Sequence, residues 1–196
     1  VTVGEFSYTN EDEAIYEFDL LGGQMKEVVL GDEDGAYSGD DIDVCWYSDQ
    51  VAMYYVAYND DGGIIRDGYY SDDLDNFGTL LEGFEVVNNP VGVNEWCATI
   101  SLKELSDAGE LRGLRIKSLY NNKAGSGMPE LGEPVTYRVK PTTGADLPPQ
   151  GYRVKVVGEL ARGSEEKIRR TLVGYRSYSY IPDVFDYNIY STQPIQ

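Results

Sequence analysis

Ser126, set between Gly125 and Gly127, is where a serine nucleophile would be sought. Such a serine needs a base to take its proton, and the chain has no histidine. The same lack removes imidazole as a metal ligand and as a proton carrier near neutral pH. Glycoside hydrolysis needs only two opposed carboxylates in a cleft. With 34 acidic residues some pair stands at any chosen spacing, so the pattern selects none. The chain therefore reads as a non-enzyme, with no catalytic residue and no cofactor assigned.

Calcium is the one ion its loops would admit. Asp32-Glu33-Asp34, Asp60-Asp61 and Asp72-Asp73-Leu74-Asp75-Asn76 are clusters of hard oxygen ligands. None follows the fixed offsets of an EF-hand loop, and calcium needs six to eight converging oxygens. Aspartate also suits turns for its own local hydrogen bonding. Solvated turns are the favoured reading, and no metal ligand is assigned.

Charge is distributed unevenly. Residues 1–100 hold two basic and 23 acidic side chains, whereas residues 101–196 hold 14 basic and 11 acidic. The total of −18 disfavours nucleic acid and anionic membrane as main partners. A solvated acidic surface accounts for most of this. The two halves are also complementary, and would attract within one molecule or between neighbours. No apolar run approaches the roughly 20 residues of a membrane span, and no signal-peptide pattern precedes Val1.

The elements that position these groups are strands. Hydrophobic residues make up 41 %, and 17 of the 24 aromatics are tyrosine, a composition that suits half-exposed pleated surfaces. "VGEFSYT", "AIYEFDL" and "MKEVVL" are extended, with Gly22-Gly23 as a turn. A short helix over Asn10–Leu20 is the alternative there. Asp41–Tyr47 alternates, with Ile42, Val44 and Trp46 inward. Val51–Tyr58 is apolar on both faces, as in a central strand. Ile64–Tyr70, Glu82–Val87, Trp96–Leu102, Leu114–Tyr120 and Pro134–Lys140 continue the series, with one helical turn at Lys103–Ala108. About a dozen short strands separated by turn signals predict an all-β protein, a β-sandwich of antiparallel strands. Pro141–Gln150 reads as a linker. It divides a sandwich head over residues 1–145 from a C-terminal β-hairpin and aromatic tail over 146–196, which form one unit with the N-terminal segment if the two pack together.

Cys45 and Cys97 are each the outward neighbour of an inward tryptophan, Trp46 and Trp96. In opposing sheets they would point away from each other. On neighbouring strands of one sheet both would lie on one surface, within reach of a bridge. We expect a Cys45–Cys97 disulfide, adjacent strands and two buried tryptophans. Such a bond belongs to an oxidising compartment. By the chain-entropy argument, closing the loop over 46–96 contributes about 4 kcal/mol before strain is counted.

The C-terminal stretch "LPPQGYRVKVVGELARGSEEKIRRTLVGYRSYSYIPDVFDYNIYS" predicts a hairpin around Ala161-Arg162-Gly163. That loop would set Val156 opposite Ile168, Tyr152 opposite Leu172 and Lys155 opposite Arg169. Arg170 would then lie on the inner face beside Val154 and need a partner. Arg153, Lys155, Lys167 and Arg169 form a basic face, read as solvated or matched to the acidic half rather than as a phosphate or polysaccharide site. Phe185, Tyr187 and Tyr190 are either core residues of a last strand or an exposed contact patch.

The order of these pieces resembles PilX-type, type IV pilin-like surface proteins. It runs from "EVVLGDEDGAYSGDDIDVCW" through "AMYYVAYNDDGGIIRDGYY" and "LRGLRIKSLYNN" to Pro-Pro-x-Gly, the hairpin and "FDYNIYS". Such proteins begin with a long apolar helix that anchors them and builds the filament, and the sequence given shows none. The resemblance implies the extracytoplasmic head of a non-enzymatic, cell-surface subunit, extracellular and adhesive. Its partners would be other pilin-like subunits in a filament, and surface glycans. Contact with a membrane would come only through the missing helix. The alternative is a secreted carbohydrate-binding β-sandwich module that presents tyrosine-rich faces.

Overall fold

The computed structural model describes residues 1–31, 35–48, 51–71, 83–87, 95–121, 134–142, 144–162 and 166–178. In chain order the elements are β1 (Thr2–Phe6), β2 (Tyr16–Leu20), β3 (Met25–Val29), β4 (Asp41–Trp46), β5 (Val51–Asn59), β6 (Ile64–Ser71), β7 (Glu85–Val87), β8 (Trp96–Ser101), α1 (Lys103–Ala108), β9 (Leu111–Asn121), β10 (Val135–Pro141), β11 (Gly151–Arg162) and β12 (Glu166–Ser177). The fold is all-β, with one short helix among the described residues. Where a helix over Asn10–Leu20 was the alternative, the acidic residues Glu11–Glu13 form a single 3-10 turn. Alternation then takes over at Tyr16, because Tyr16 and Leu20 bury while Glu17 stays out.

Two sheets make the sandwich: a four-stranded one ordered β2-β10-β4-β8 and a five-stranded one ordered β3-β9-β5-β6-β7. Their pairs are antiparallel except β6 with β7, which is parallel. Trp46, Tyr137, Ile42, Val44 and Ile100 from the first sheet meet Met53, Leu114, Ile116 and Val28 from the second in one continuous core. Each fully buried side chain of this size contributes about 1.5–3 kcal/mol by leaving water. β5 is buried on both faces over much of its length, as its unbroken apolar run predicts.

A third sheet, ordered β1-β11-β12, stands beside the sandwich. The N-terminal strand thus joins the C-terminal hairpin, with Val3 opposite Val154 and Phe6 opposite Gly151. Gln150 fixes the junction. Its side chain is buried, donates to Val29 O and Pro148 O, and accepts from Val29 N at 2.9 Å.

The hairpin register differs from the sequence expectation. β11 and β12 each run further, and the connection falls at 163–165 rather than 161–163. Val156 therefore faces Leu172, Tyr152 faces Arg176 and Lys155 faces Val173. The longer ladder replaces a Lys155–Arg169 repulsion with a favourable Glu159–Arg169 pair, 3.7 Å apart. The shift is an even number of residues, so each side chain keeps its face. Arg170 lies opposite Gly158 in an exposed position, and needs no buried partner.

Candidate functional site

The three-stranded sheet has two unlike faces. On one, Phe6, Tyr175 and Ser177 turn toward the sandwich. Phe6 packs on Tyr16 at 6.2 Å and on Tyr175 at 5.0 Å between ring centroids, and Lys26 Nζ donates to Ser177 Oγ at 2.8 Å. Burial lowers the pKa of the Lys26 ammonium. Arg153 pairs with Glu11 at 2.7 Å on this same side.

The other face points to solvent and carries exposed apolar residues among the charges of Glu5, Arg170 and Arg176. Val3 and Val154 are register partners on it, as are Val156 and Leu172. Leu172 is 73 % exposed and Val3 61 %. A shallow depression of about 350 Å³ is lined by Val156, Gly158, Arg170, Thr171 and Leu172. Gly158 and Gly174 have open space where a Cβ would stand, which leaves notches between the valines. β12 is exposed from Arg169 to Arg176, and among the described residues β11 is its one partner strand. Exposed apolar residues along such a strand mark a contact surface.

The cysteines lie elsewhere. β4 and β8 are adjacent, with Cys45 opposite Cys97 and Trp46 opposite Trp96. The sulfurs are bonded, with Cα atoms 4.0 Å apart, and both tryptophans are buried. Cys45 faces away from the core but is only 1 % exposed. Arg138 flanks it across the β4–β10 ladder, and the Glu95 carboxylate lies within 4.8 Å of both sulfurs. Glu95 accepts from Lys140 Nζ at 3.0 Å, while Arg138 Nε donates to Glu17 at 2.7 Å. Arg138 also donates to the Tyr47 hydroxyl, and stacks its guanidinium 4.6 Å from that ring. Burial raises the Tyr47 phenol, Glu95 adds to the rise, and Arg138 opposes it. Sulfur is tied up in the disulfide and the carboxylates are matched by cations, so this lattice braces the sheet.

The outer face of the five-stranded sheet holds a cluster that sequence reasoning missed. Tyr58 donates to Glu27 at 2.5 Å, and Arg115 Nε donates to the same carboxylate at 3.3 Å. Arg115 lies 5.3 Å from the Tyr58 ring centroid. Burial raises the Tyr58 phenol, and its bond to Glu27 raises it further. Gly113 makes the arrangement fit, because a Cβ there would meet the Tyr58 hydroxyl at 2.7 Å and its ring at 2.8 Å. The only available signal was a tyrosine and a glycine on strands whose pairing was unknown.

Of the acidic loops, Asp60-Asp61 is described, and Asp60 serves its turn: Oδ1 accepts from Glu110 N at 2.9 Å, and Oδ2 lies 3.6 Å from Arg112. Asp32-Glu33-Asp34, Asp72–Asn76, Ser126 and the tail residues Phe185, Tyr187 and Tyr190 lie outside the described residues. Of the basic face, Arg153, Lys155 and Arg169 are on the β11–β12 ladder, and so is the backbone of Lys167.

No protein-family model matches the chain, and no curated protein or solved structure matches it.

Proposed function

We propose that this chain is the head of a non-enzymatic structural subunit displayed outside the cytoplasm, of the type IV pilin-like kind that its sequence resembles. The observation that carries the reading is the solvent-facing side of the β1-β11-β12 sheet, with Val3, Val156 and Leu172 exposed on it and a β12 edge that no other described strand pairs. A strand edge of this length on a lone molecule invites pairing, and a subunit built to meet others has a use for it. The Cys45–Cys97 bond supports an oxidising, extracytoplasmic setting. The resemblance supplies the kind of subunit. The test is antibody labelling of intact cells together with sheared surface filaments. The reading expects label on the surface and the chain in the filament fraction. A chain found only in the cytoplasm, with free thiols, would refute it.

A second reading, a secreted carbohydrate-binding module, draws on Tyr54 and Phe84. These rings lie 6.3 Å apart beside Tyr70 on the outer face of the five-stranded sheet, each partly exposed. Glycan-array binding that Tyr54→Ala abolishes would favour it over the first.

A further inference from the structure

We propose that the β11–β12 hairpin of one copy docks on the acidic end of a second copy, joining chains head to tail. This rests on the assembly reading above and deepens it by naming the two surfaces. The hairpin, residues 151–177, carries seven basic and three acidic side chains, and the rest of the chain carries nine basic and 31 acidic. The contrast is hardly used within one molecule. Among the described residues, Arg153 with Glu11 is the one ion pair between hairpin and body, and Arg169 with Glu159 stays inside the hairpin. Lys155, Arg170 and Arg176 are exposed and make no ion pair among the described residues.

The complementary surface is where the β5–β6 turn, α1 and the turn into β9 converge. Asp60 N donates to Glu110 O at 3.0 Å, and Asn59 Nδ2 donates to Leu105 O at 3.0 Å, so the three segments are fixed to one another. Asp60, Asp61, Glu104, Asp107 and Glu110 are exposed there, and Lys103 brings in Asp40 at 3.6 Å. Lys103 and Arg112 are the cations set against these six carboxylates. A second copy is the fitting occupant because one sequence carries both halves of the match. Pairing β12 with the β12 of another copy would lay side by side two strands that each carry Arg169, Arg170 and Arg176, and this like charge disfavours a symmetric dimer. Two different patches that attract make a heterologous contact, which propagates or closes into a ring. Docking would also take Val156 and Leu172 out of water.

Sedimentation velocity tests this with the wild type and two variants, each checked for native circular dichroism: Arg170→Glu/Arg176→Glu, whose two positions share the hairpin face of Val156 and Leu172, and Asp61→Lys/Asp107→Lys. The wild type should associate at about 0.05 M salt and dissociate at about 0.5 M, where the screening length is short. Each variant alone should associate at least about tenfold more weakly, and an equimolar mixture of the two should regain association because the reversed charges match again. Wild-type association that neither variant weakens would overturn the docking while leaving the assembly reading intact. A wild type that stays monomeric at low salt would also overturn the docking, and surface labelling would then decide the assembly reading separately.

Discussion

Trp46 donates its indole N–H to the Ser71 hydroxyl at 2.9 Å, and this bond joins the two sheets of the sandwich through the core. Ser71 is itself fully buried, and passes its proton on to Ser48 O at 2.8 Å. Ser71→Ala strands the indole donor in an apolar interior. It should cost about 1–3 kcal/mol in urea unfolding. Adding Trp46→Phe to that variant should cost less than Trp46→Phe does alone, because the orphaned donor is gone.

Tyr137 presents the opposite case. Its hydroxyl and that of Ser118 are both buried and make no hydrogen bond of ordinary geometry among the described residues, although Ser118 is near enough to act on the phenol. Tyr137→Phe removes an uncompensated polar atom and keeps the ring that stacks 6.0 Å from Phe18. Stability should stay within about 1 kcal/mol of wild type or rise. A loss of several kcal/mol would show that the hydroxyl has a partner in solution.

Alkaline pH should destabilise the fold. Burial raises the phenols of Tyr55, Tyr58 and Tyr137 well above their ordinary value. In the unfolded chain these tyrosines lose their protons near pH 10. Above that pH the native state holds more protons than the unfolded one, so stability falls as pH rises; well below it these groups contribute no slope. Urea midpoints should therefore drop between about pH 9 and about pH 11, and the drop should be smaller in Tyr137→Phe.

Replacing Cys45 and Cys97 together with alanine opens a loop between residues 52 apart in sequence. The expected loss is about 4 kcal/mol, less whatever strain the bond carries. Reductant should lower the melting temperature of the wild type and leave the variant unchanged. Equal sensitivity of the two proteins would contradict the bond.

Gly68→Ala should also destabilise, because its Cβ would stand 2.3 Å from the Phe84 ring. Overpacking of this kind costs about 1–3 kcal/mol. In a Phe84→Ala background the same change should cost much less, and a double-mutant cycle measures the difference.

Much of the sandwich was legible because its signal is local. Ile42, Val44 and Trp46 alternate with polar residues, and Val51–Tyr58 is apolar throughout, so strand and facing follow from neighbours in sequence. The Cys45–Cys97 pairing followed from the same alternation. The hairpin register was not legible to the residue, because a turn at 161–163 and one at 163–165 give the same facing. The choice falls to cross-strand charge, where Glu159 against Arg169 is favoured over Lys155 against Arg169. The Glu27–Tyr58–Arg115 cluster and the Gly68–Phe84 contact were hidden for another reason. They depend on which strands become neighbours, and Glu27 and Arg115 are 88 residues apart. The acidic end escaped notice likewise, since Asp60 and Glu110 meet only through the fold.

The placement of the disulfide has a mechanical consequence. Its closed loop contains β5, β6 and β7, three of the five strands of one sheet, while the bond itself staples two strands of the other. Tension applied between the chain ends would pass through the sulfur bridge and bypass everything from 46 to 96. That withholds roughly 170 Å of contour from extension, at about 3.4 Å per residue. In a head pulled by its termini the outer strands and the hairpin could be drawn out as extended chain, whereas those three strands could not.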